Sequence, residues 1–353
     1  MNIVKSSTKQ LNILVEIMHG LGDTVCALSL LKGLRYLYPN AKLTVLCKMN
    51  PGRDIIESSR IPIDEIIVLD VYKDIYITYK TILNLRKHHF DFGISAGITP
   101  VKKSKLFMKL CGVKEHIGFQ ASGTNKYNYD IHFVEANIKT LGLEFSDKFR
   151  PQLYVDTDSD AFVKPHFKAL DKSKPIIGLC IGNADSSLTN RWLRTGRIFP
   201  KSWGITKMHD LLDLLVKDGN QVVLIGGSQE IPLVSEVNEF LNLPQVVNLV
   251  GKCSIKQSMA AIKRCTCSIG IDTGMQHIAG ALSVPTISIF GPTNPKYIGA
   301  FSNCSYFVEH EMDCKYCFGT KLYIFCKHRR CLTEITPQQV MEKVKLVLEK
   351  KLI

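Results

Sequence analysis

Long apolar runs are missing from this chain of 353 residues. No run reaches the roughly 18 apolar residues that a membrane-spanning helix needs. The opening stretch, MNIVKSSTKQLNILVEIMHG, contains no apolar block that leads to a small-residue cleavage site, as a secretion signal does. We therefore expect a cytoplasmic protein that does not span the membrane.

Acidic residues are in short supply, with 32 Asp and Glu against 45 Lys and Arg, for a net charge of +13. This excess favours an anionic partner, such as nucleic acid, a phosphate-bearing small molecule or an acidic membrane surface. The chain has no recognisable RNP, helix-turn-helix or zinc-finger histidine pattern. Its lysine-rich segment 100–126 lacks interleaved aromatic residues for base stacking. Nucleic-acid binding is therefore only a remote alternative, and we expect no nucleic-acid partner.

The glycine fingerprint of dinucleotide-binding enzymes is incomplete. HGLGD, residues 19–23, lacks the third glycine of G-x-G-x-x-G. The next predicted strand ends in Cys47-Lys48, where an acid would bind ribose. Both absences argue against a Rossmann dehydrogenase.

What the chain does have is a regular alternation of apolar strand patterns and helical patterns. LNILVEI (11–17), AKLTVLCK (41–48) and FDFGISAG (90–97) read as buried strands between helices, and the pattern restarts at IIGLCIG (176–182). Continuous apolar strands alternating with helices predict parallel sheets covered on both faces. We expect an α/β protein of two Rossmann-like domains that face each other across a cleft, residues 1–160 and 161–335.

One stretch of the second half, SIGIDTGMQHIAGALSVPTISIFGPTNP (268–295), predicts a strand, a turn, a helix, a strand and a Pro-rich loop. Asp272 ends the first strand, and Thr273-Gly274 opens the helix. Ligands of parallel sheets bind at this edge, and a helix start is suited to a diphosphate. The alternative is that Asp272 merely caps the helix while His277 packs inside it.

Several segments, in order, give the chain a family resemblance. Four segments carry this resemblance: HGLGDTVCALSLLKGLRYLYPNAKLTVLC, GRIFPKSWG, VVLIGGSQE and the stretch from Asp272 to Pro295. Through them the chain resembles glycosyltransferase family 9, the ADP-heptose:lipopolysaccharide heptosyltransferases and their relatives. The resemblance implies a GT-B fold, inversion at the anomeric carbon and a nucleotide-sugar donor held mainly by the second domain. It also implies heptose transfer to the lipopolysaccharide inner core and a C-terminal helix, 336–353, that packs back on the first domain.

The resemblance also assigns roles to individual residues. Asp23 would be the catalytic base, which suits the chemistry because an acceptor hydroxyl needs a carboxylate to take its proton. The alternative for Asp23 is a helix N-cap. The donor side would consist of Arg197, Glu230, Asp272, Thr273, Gly274 and His277. Arg197 departs from the family pattern, which has a lysine there, and a planar guanidinium is not equivalent to a point charge.

Basic residues of the first domain are candidates for the acceptor side. Lys48, Arg53 and Arg60 follow the second predicted strand, and Lys102, Lys103 and Lys105 belong to the lysine-rich segment. Such residues suit an anionic glycolipid acceptor or the inner leaflet of the membrane, to which the protein would bind peripherally. A solvated surface is the alternative for any single lysine.

Twelve cysteines suggest thiols or metal ligands rather than disulfides in a cytoplasmic protein. Cys314, Cys317, Cys326 and Cys331 are spaced C-x2-C and C-x4-C, which suits a structural Zn or Fe site that would fix a long loop. A loop without metal is equally compatible with the spacing. We expect no cofactor to be required for catalysis.

Two alternatives within the same enzyme class stay open. One keeps the fold and chemistry but transfers the sugar to a protein, as autotransporter heptosyltransferases do. The other uses a nucleotide-hexose donor.

Overall fold

The computed structural model describes residues 10–71, 73–97, 101–118, 131–182 and 201–351. The chain divides into two compact units, Met1–Leu153 and Tyr154–Ile353, so the division falls a few residues before the predicted boundary at 160/161. Each unit contains one parallel sheet with helices in the connections between its strands.

The first unit alternates strands and helices from end to end. In chain order the elements are β1 (Asn12–Ile17), α1 (Leu21–Leu37), β2 (Lys42–Cys47), α2 (Asn50–Ser58), β3 (Glu65–Val68), α3 (Ile75–Arg86), β4 (Phe92–Ser95), α4 (Val101–Leu110), β5 (His116–Gly118) and α5 (Phe133–Thr140). The strands lie in the order β3-β2-β1-β4-β5. This is a doubly wound sheet, and its order reverses between β1 and β4.

Leu14 and Glu16 of β1 lie on the same face of the first sheet, because successive strand residues point to opposite faces. Leu14 belongs to a buried cluster with Leu85 of α3 and Met108 of α4. Glu16, two residues on, accepts a hydrogen bond from Ser104 Oγ of α4 at 2.7 Å. Helices α3 and α4 therefore cover the same face of the first sheet.

The second unit repeats the architecture with six strands. Its elements are α6 (Thr157–Val163), β6 (Ile176–Cys180), α7 (Ile205–Lys217), β7 (Gln221–Ile225), α8 (Ile231–Val234), β8 (Val246–Asn248), α9 (Ile255–Lys263), β9 (Cys267–Ile271), α10 (Gly274–Ala281), β10 (Thr286–Ile289), α11 (Pro295–Ile298), β11 (Ser305–Val308), α12 (Lys321–Phe325), α13 (Arg330–Thr333) and α14 (Pro337–Lys351). The strand order is β11-β10-β9-β6-β7-β8, and the reversal lies between β6 and β9.

The C-terminal helix α14 contributes to the core of the second unit. Val340 and Val344 are fully buried in the same cluster as Leu211 and Leu215 of α7. The predicted contact of this helix with the first domain stays a prediction. Among the described helices, none has both the length and the apolar character to cross a membrane.

Candidate active site

The carboxyl ends of the strands at each reversal point define where a ligand is expected to bind. Asp23 follows β1 in the first unit, and Asp272 follows β9 in the second. Both carboxylates therefore lie at the edge that parallel α/β sheets use for ligands.

Asp23 lies in the first turn of α1. The N-cap of this helix is Gly20, and Asp23 is the third helical residue, so the alternative role of Asp23 as the N-cap does not apply. Its side chain is half-buried. The position leaves a carboxylate at a helix start, on the ligand-binding edge of the first sheet.

Asp272, at the ligand-binding edge of the second sheet, is held in place by two side-chain hydrogen bonds. Its Oδ2 atom accepts hydrogen bonds from Lys201 Nζ at 2.7 Å and from Thr293 Oγ1 at 2.8 Å. Burial raises the pKa of Asp272, but the charge and hydrogen bond of Lys201, with smaller effects of His277 and Thr293, outweigh it. The pKa therefore lies below its ordinary value, and Asp272 is ionised at neutral pH.

Helix α10 begins directly after Asp272, with Thr273 as its N-cap. The Thr273 hydroxyl makes no capping bond, and among the described residues its buried Oγ1 has no hydrogen-bond partner. The first N–H groups of a helix have no acceptor within it and attract anions. The start of α10 thus offers a hydroxyl and backbone donors for an anionic group.

The side chain of Gln276 fixes the start of α10 to the sheet. Its amide donates to Ser268 O and accepts from Ser268 Oγ and Gly270 N, each at 3.2 Å. A Cβ atom at Gly270 would lie 2.6 Å from this amide, so a larger residue there would displace the amide from its hydrogen bonds. The glycine of the strand is therefore required by the anchor of the helix.

Glu230 and His277 lie on the same edge of the second sheet. Glu230 follows β7, is buried, and accepts the Gly227 N–H through Oε2 at 2.7 Å. His277 is one turn inside α10, and its charge helps to lower the pKa of Asp272. Because β6 separates β7 from β9, Glu230 and Asp272 flank the end of β6 on either side.

The structure adds two residues that were absent from the predicted site. Lys201 belongs to the segment GRIFPKSWG, and Thr293 belongs to GPTNP, but neither motif says that they meet Asp272. The only sequence feature that could have indicated a role for Lys201 and Thr293 was that each is a polar residue within a motif loop. The predicted donor residue Arg197 lies outside the described residues.

The predicted acceptor residues are spread over the first unit. Lys48 follows the carboxyl end of β2, whereas the guanidinium of Arg53 donates to Ile66 O at 2.8 Å. Arg60 follows the end of α2, at the opposite edge of the sheet from Asp23. Lys102, Lys103 and Lys105 belong to α4, where the Lys105 side chain is exposed. The structure therefore does not bring all six together.

The four spaced cysteines lie in the segment between β11 and α14. Among the described residues, which include all four, no three His, Cys, Asp or Glu side chains are grouped so that they could hold a metal ion. Burial and the nearby thiols of Cys317, Cys326 and Cys314 together raise the pKa of Cys331 to about 11, so the four side chains are neighbours. The Zn or Fe site stays a prediction. The segment does reach the site of Asp272, because Lys201 Nζ lies 4.8 Å from the ring centroid of Phe318.

Two doubly wound units, each with an acidic side chain at the ligand-binding edge of its sheet, are compatible with the class of two-domain glycosyltransferases. The sequence model of glycosyltransferase family 9 (heptosyltransferase) matches residues 84–325, and the chain belongs to this family.

Comparison with individual proteins gives the same family. The chain is 29% identical over 212 residues to lipooligosaccharide heptosyltransferase 2 of Haemophilus influenzae, covering 57% of this chain and 56% of that protein. It therefore spans only about half the length of that relative. It is 24% identical over 363 residues to lipooligosaccharide heptosyltransferase 2 of Campylobacter jejuni, covering 96% of this chain and 99% of that protein.

Solved structures share the fold. ADP-heptose lps heptosyltransferase II of E. coli superposes with a TM-score of 0.72 at 22% identity, covering 97% of this chain and all of that one. The iron-containing dodecameric glycosyltransferase TibC of E. coli has a TM-score of 0.58 at 13% identity, covering 98% of this chain and 78% of that one. The predicted α/β GT-B fold and the predicted glycosyltransferase class are confirmed.

Proposed function

We propose that this glycosyltransferase transfers a heptose from ADP-heptose to the inner core of lipopolysaccharide, with inversion at the anomeric carbon. The observation that carries the proposal is the ionised, immobilised Asp272 beside the start of α10. The names of the relatives and of the superposed E. coli enzyme supply the sugar, the nucleotide and the acceptor.

The donor diphosphate binds at the start of α10. Backbone N–H groups of the first helical turn and the Thr273 hydroxyl donate to the phosphate oxygens. As the bond to the sugar breaks, negative charge grows on these oxygens, and donors already in position stabilise it. Arg197, if it reaches the diphosphate, adds a positive charge, and Glu230 holds the ribose hydroxyls.

Asp272 has a separate role, because the hydrogen bonds that its carboxylate accepts from Lys201 and Thr293 both use Oδ2. Its Oδ1 atom is then the oxygen that accepts a hydroxyl of the donor sugar. The negative charge of Asp272 would repel a diphosphate nearby, but the positive charge of Lys201 compensates it. His277, inside α10, also compensates the negative charge of Asp272.

The transfer step uses Asp23 as the base. An acceptor hydroxyl oxygen attacks the anomeric carbon from the face opposite the diphosphate, and the new glycosidic bond forms as the bond to the diphosphate oxygen breaks. The acceptor proton passes to the Asp23 carboxylate, and ADP leaves with the bonding electron pair. A positioned carboxylate of this kind contributes roughly 10²–10⁴-fold to such a rate.

The acceptor is an anionic glycolipid, and the enzyme works in the cytoplasm at the inner face of the membrane. The net charge of +13 supports both parts of this proposal. Lys48 and Lys105 are acceptor candidates, since Lys48 directly follows the carboxyl end of β2 and Lys105 lies in the first half of α4, which follows β4.

Nucleotide binding tests the proposal directly. Titration calorimetry of the full chain with ADP, UDP and GDP is expected to give micromolar binding of ADP alone. Glu230→Ala is expected to weaken it, and Glu236→Ala, on the surface beyond α8, serves as the control. A preference for UDP or GDP would favour the nucleotide-hexose alternative, and no binding of any of them would refute the donor site.

The acceptor is tested with the same preparation. Incubation with ADP-heptose and either lipopolysaccharide core or a candidate autotransporter protein, followed by mass spectrometry, separates the two acceptor classes. Heptose on the core oligosaccharide supports the proposal, whereas heptose only on the protein supports the alternative.

A further inference from the structure

The first half of helix α3 is apolar and yet exposed. Ile75 is 85% exposed, Tyr76 64% and Ile77 52%, and Tyr79 is exposed as well. The turn is a formed helix, because the Asp74 side chain caps it by accepting the Ile77 N–H at 2.9 Å. Soluble proteins rarely leave such a contiguous apolar patch on their surface unless it binds something.

Helix α4 also exposes apolar side chains, namely Leu106 and Leu110. The C-terminal ends of the two helices are in contact, because Arg86 Nη1 of α3 donates to Leu110 O at 3.1 Å. We call the exposed apolar residues of both helices, Ile75, Tyr76, Ile77, Tyr79, Leu83, Leu106 and Leu110, the α3–α4 surface.

The charge of the two helices has one sign. Helix α3 contains one Lys and one Arg, α4 contains four Lys, and neither contains an acidic residue. The Lys80 ammonium lies 4.4 Å from the centre of the Tyr76 ring, so a cation and an aromatic ring share the patch. Aliphatic and aromatic side chains among lysines are typical of helices that lie in the interface of an anionic bilayer.

We propose that the α3–α4 surface binds the anionic phospholipid surface of a membrane. The apolar first turn of α3 inserts between the headgroups, and the surrounding lysines contact the lipid phosphates. Association is reversible and weakens with salt, because part of it is electrostatic.

The position of the surface fits an acceptor that is anchored in a membrane. Helix α3 follows the carboxyl end of β3, so its first turn lies at the same edge of the sheet as the start of α1, where Asp23 lies. Membrane binding would bring this edge close to the headgroups. The link between membrane binding and a membrane-anchored acceptor rests on the proposed function, whereas vesicle binding itself does not.

Vesicle co-sedimentation of the full chain tests the proposal. We expect binding to vesicles that contain phosphatidylglycerol, little binding to pure phosphatidylcholine, and release at high salt. The double variant Ile75→Asp/Ile77→Asp should reduce the binding constant about tenfold or more, because it replaces inserted apolar groups by charges that the lipid repels. Phe162→Asp/Leu346→Asp changes two exposed apolar residues of the second unit by the same charge and should bind as the wild type does.

Two further readouts separate surface binding from catalysis and folding. Ile75→Trp should show a blue-shifted emission difference on anionic vesicles, whereas Phe162→Trp should not. The Ile75→Asp/Ile77→Asp variant should keep wild-type activity on a delipidated core oligosaccharide. The proposal would be overturned if the wild type bound no vesicles, or if the Ile75→Asp/Ile77→Asp variant bound them as well as the wild type does. It would also be overturned if both double variants lost vesicle binding equally.

Discussion

Asp23 is half-buried in the first turn of α1, and replacing it by Asn removes the proposed base while keeping the size of the side chain. We expect kcat of Asp23→Asn to fall roughly 10²–10⁴-fold, because the acceptor hydroxyl loses its proton acceptor. Calorimetry should show unchanged ADP binding, since the donor residues belong to the other unit. Glu135→Gln, in the first turn of α5, controls for the loss of an acid at a helix start. A fully active Asp23→Asn would contradict the assignment.

The pair of Lys201 and Asp272 makes a second prediction about single residues. Lys201→Met leaves a buried carboxylate without its cation, which should lower the free energy of unfolding by roughly 3 kcal/mol. Urea denaturation measures this loss, and Lys217→Met, which breaks an exposed i,i+4 pair with Asp213, should cost less than about 0.5 kcal/mol.

The double variant Lys201→Met/Asp272→Asn distinguishes charge compensation from other effects of Lys201. ADP affinity should fall in Lys201→Met, because an uncompensated carboxylate repels the diphosphate. It should recover in part in the double variant, which has no such carboxylate. Purely additive losses would mean that Lys201 does not act through Asp272.

Sequence patterns identified site residues that are neighbours along the chain, but they did not identify site residues that are distant along the chain and meet only in the fold. Asp272, Thr273 and His277 share one motif, so the strand-turn-helix pattern was enough to place them together. Lys201 and Thr293 are separated from Asp272 by 71 and 21 residues. Nothing in their local sequence indicates a hydrogen bond to the same carboxylate oxygen, and the fold supplies that information.

At the scale of elements, the acidic segment VDTDSD illustrates the same limit. Its composition is typical of a solvated linker, but residues Thr157–Val163 form helix α6 of the second unit. Asp156 caps this helix, and Asp160 pairs with Arg264, which lies 104 residues further along the chain. Nothing in the local sequence indicates this distant partner.

Helix α3 began earlier than the sequence indicated. The apolar spacing of KTILNLRKHH predicts a helix over residues 80–89, whereas the helix of the structure is Ile75–Arg86. The β-branched Ile75 and Ile77 have low helix propensity, and the first turn lies outside the core, so hydrophobic periodicity could not reveal it. The buried strands, by contrast, were readily predicted, because continuous apolar runs leave few alternatives.

The cap of α6 gives a prediction for this element. Asp156 accepts hydrogen bonds from the backbone N–H of Ser159 at 2.7 Å and from its hydroxyl at 3.0 Å. Asp156→Ala should therefore lower the free energy of unfolding by about 1 kcal/mol. Asp158→Ala removes an exposed acid from the same first turn and should cost less, since Asp158 does not provide the cap. Equal losses in urea denaturation would contradict the capping role.

The pH dependence of this difference follows from the pKa of Asp156. The hydrogen bond from the Ser159 backbone, with smaller effects of the Ser159 hydroxyl and Lys256, outweighs burial and holds the pKa below its ordinary value of 3.8. The folded state therefore binds this proton less readily than the unfolded state. The stabilisation is complete above pH 3.8 and is lost as the pH falls through the folded pKa, where the wild type and Asp156→Ala should converge.

At the scale of the whole molecule, the two units have separate sheets and separate cores. The cluster around Leu14 and Met108 belongs to the first unit, and the cluster around Leu211 and Val344 belongs to the second. The repeated strand-helix pattern was sufficient to predict two such units. The position of the division depends on α6, whose Asp160 pairs with Arg264, the C-cap residue of α9 in the second unit.

This division leads to the prediction that the second unit folds and binds its nucleotide alone. A fragment of residues 154–353 contains β6–β11, Lys201, Glu230 and Asp272, together with α14 and the helix α7 on which α14 packs. Units of this size with their own core are usually able to fold independently. We expect a cooperative unfolding transition and an ADP affinity within about tenfold of the full chain.

Two fragments and one variant test whether the second unit folds and binds ADP alone. A fragment of residues 1–153 should not bind ADP, and Lys201→Met should weaken ADP binding by the 154–353 fragment as it does in the full chain. A fragment of residues 154–353 that does not fold would show that its core depends on the first unit. A folded fragment that fails to bind ADP, while the full chain binds it, would show that residues of the first unit complete the donor site.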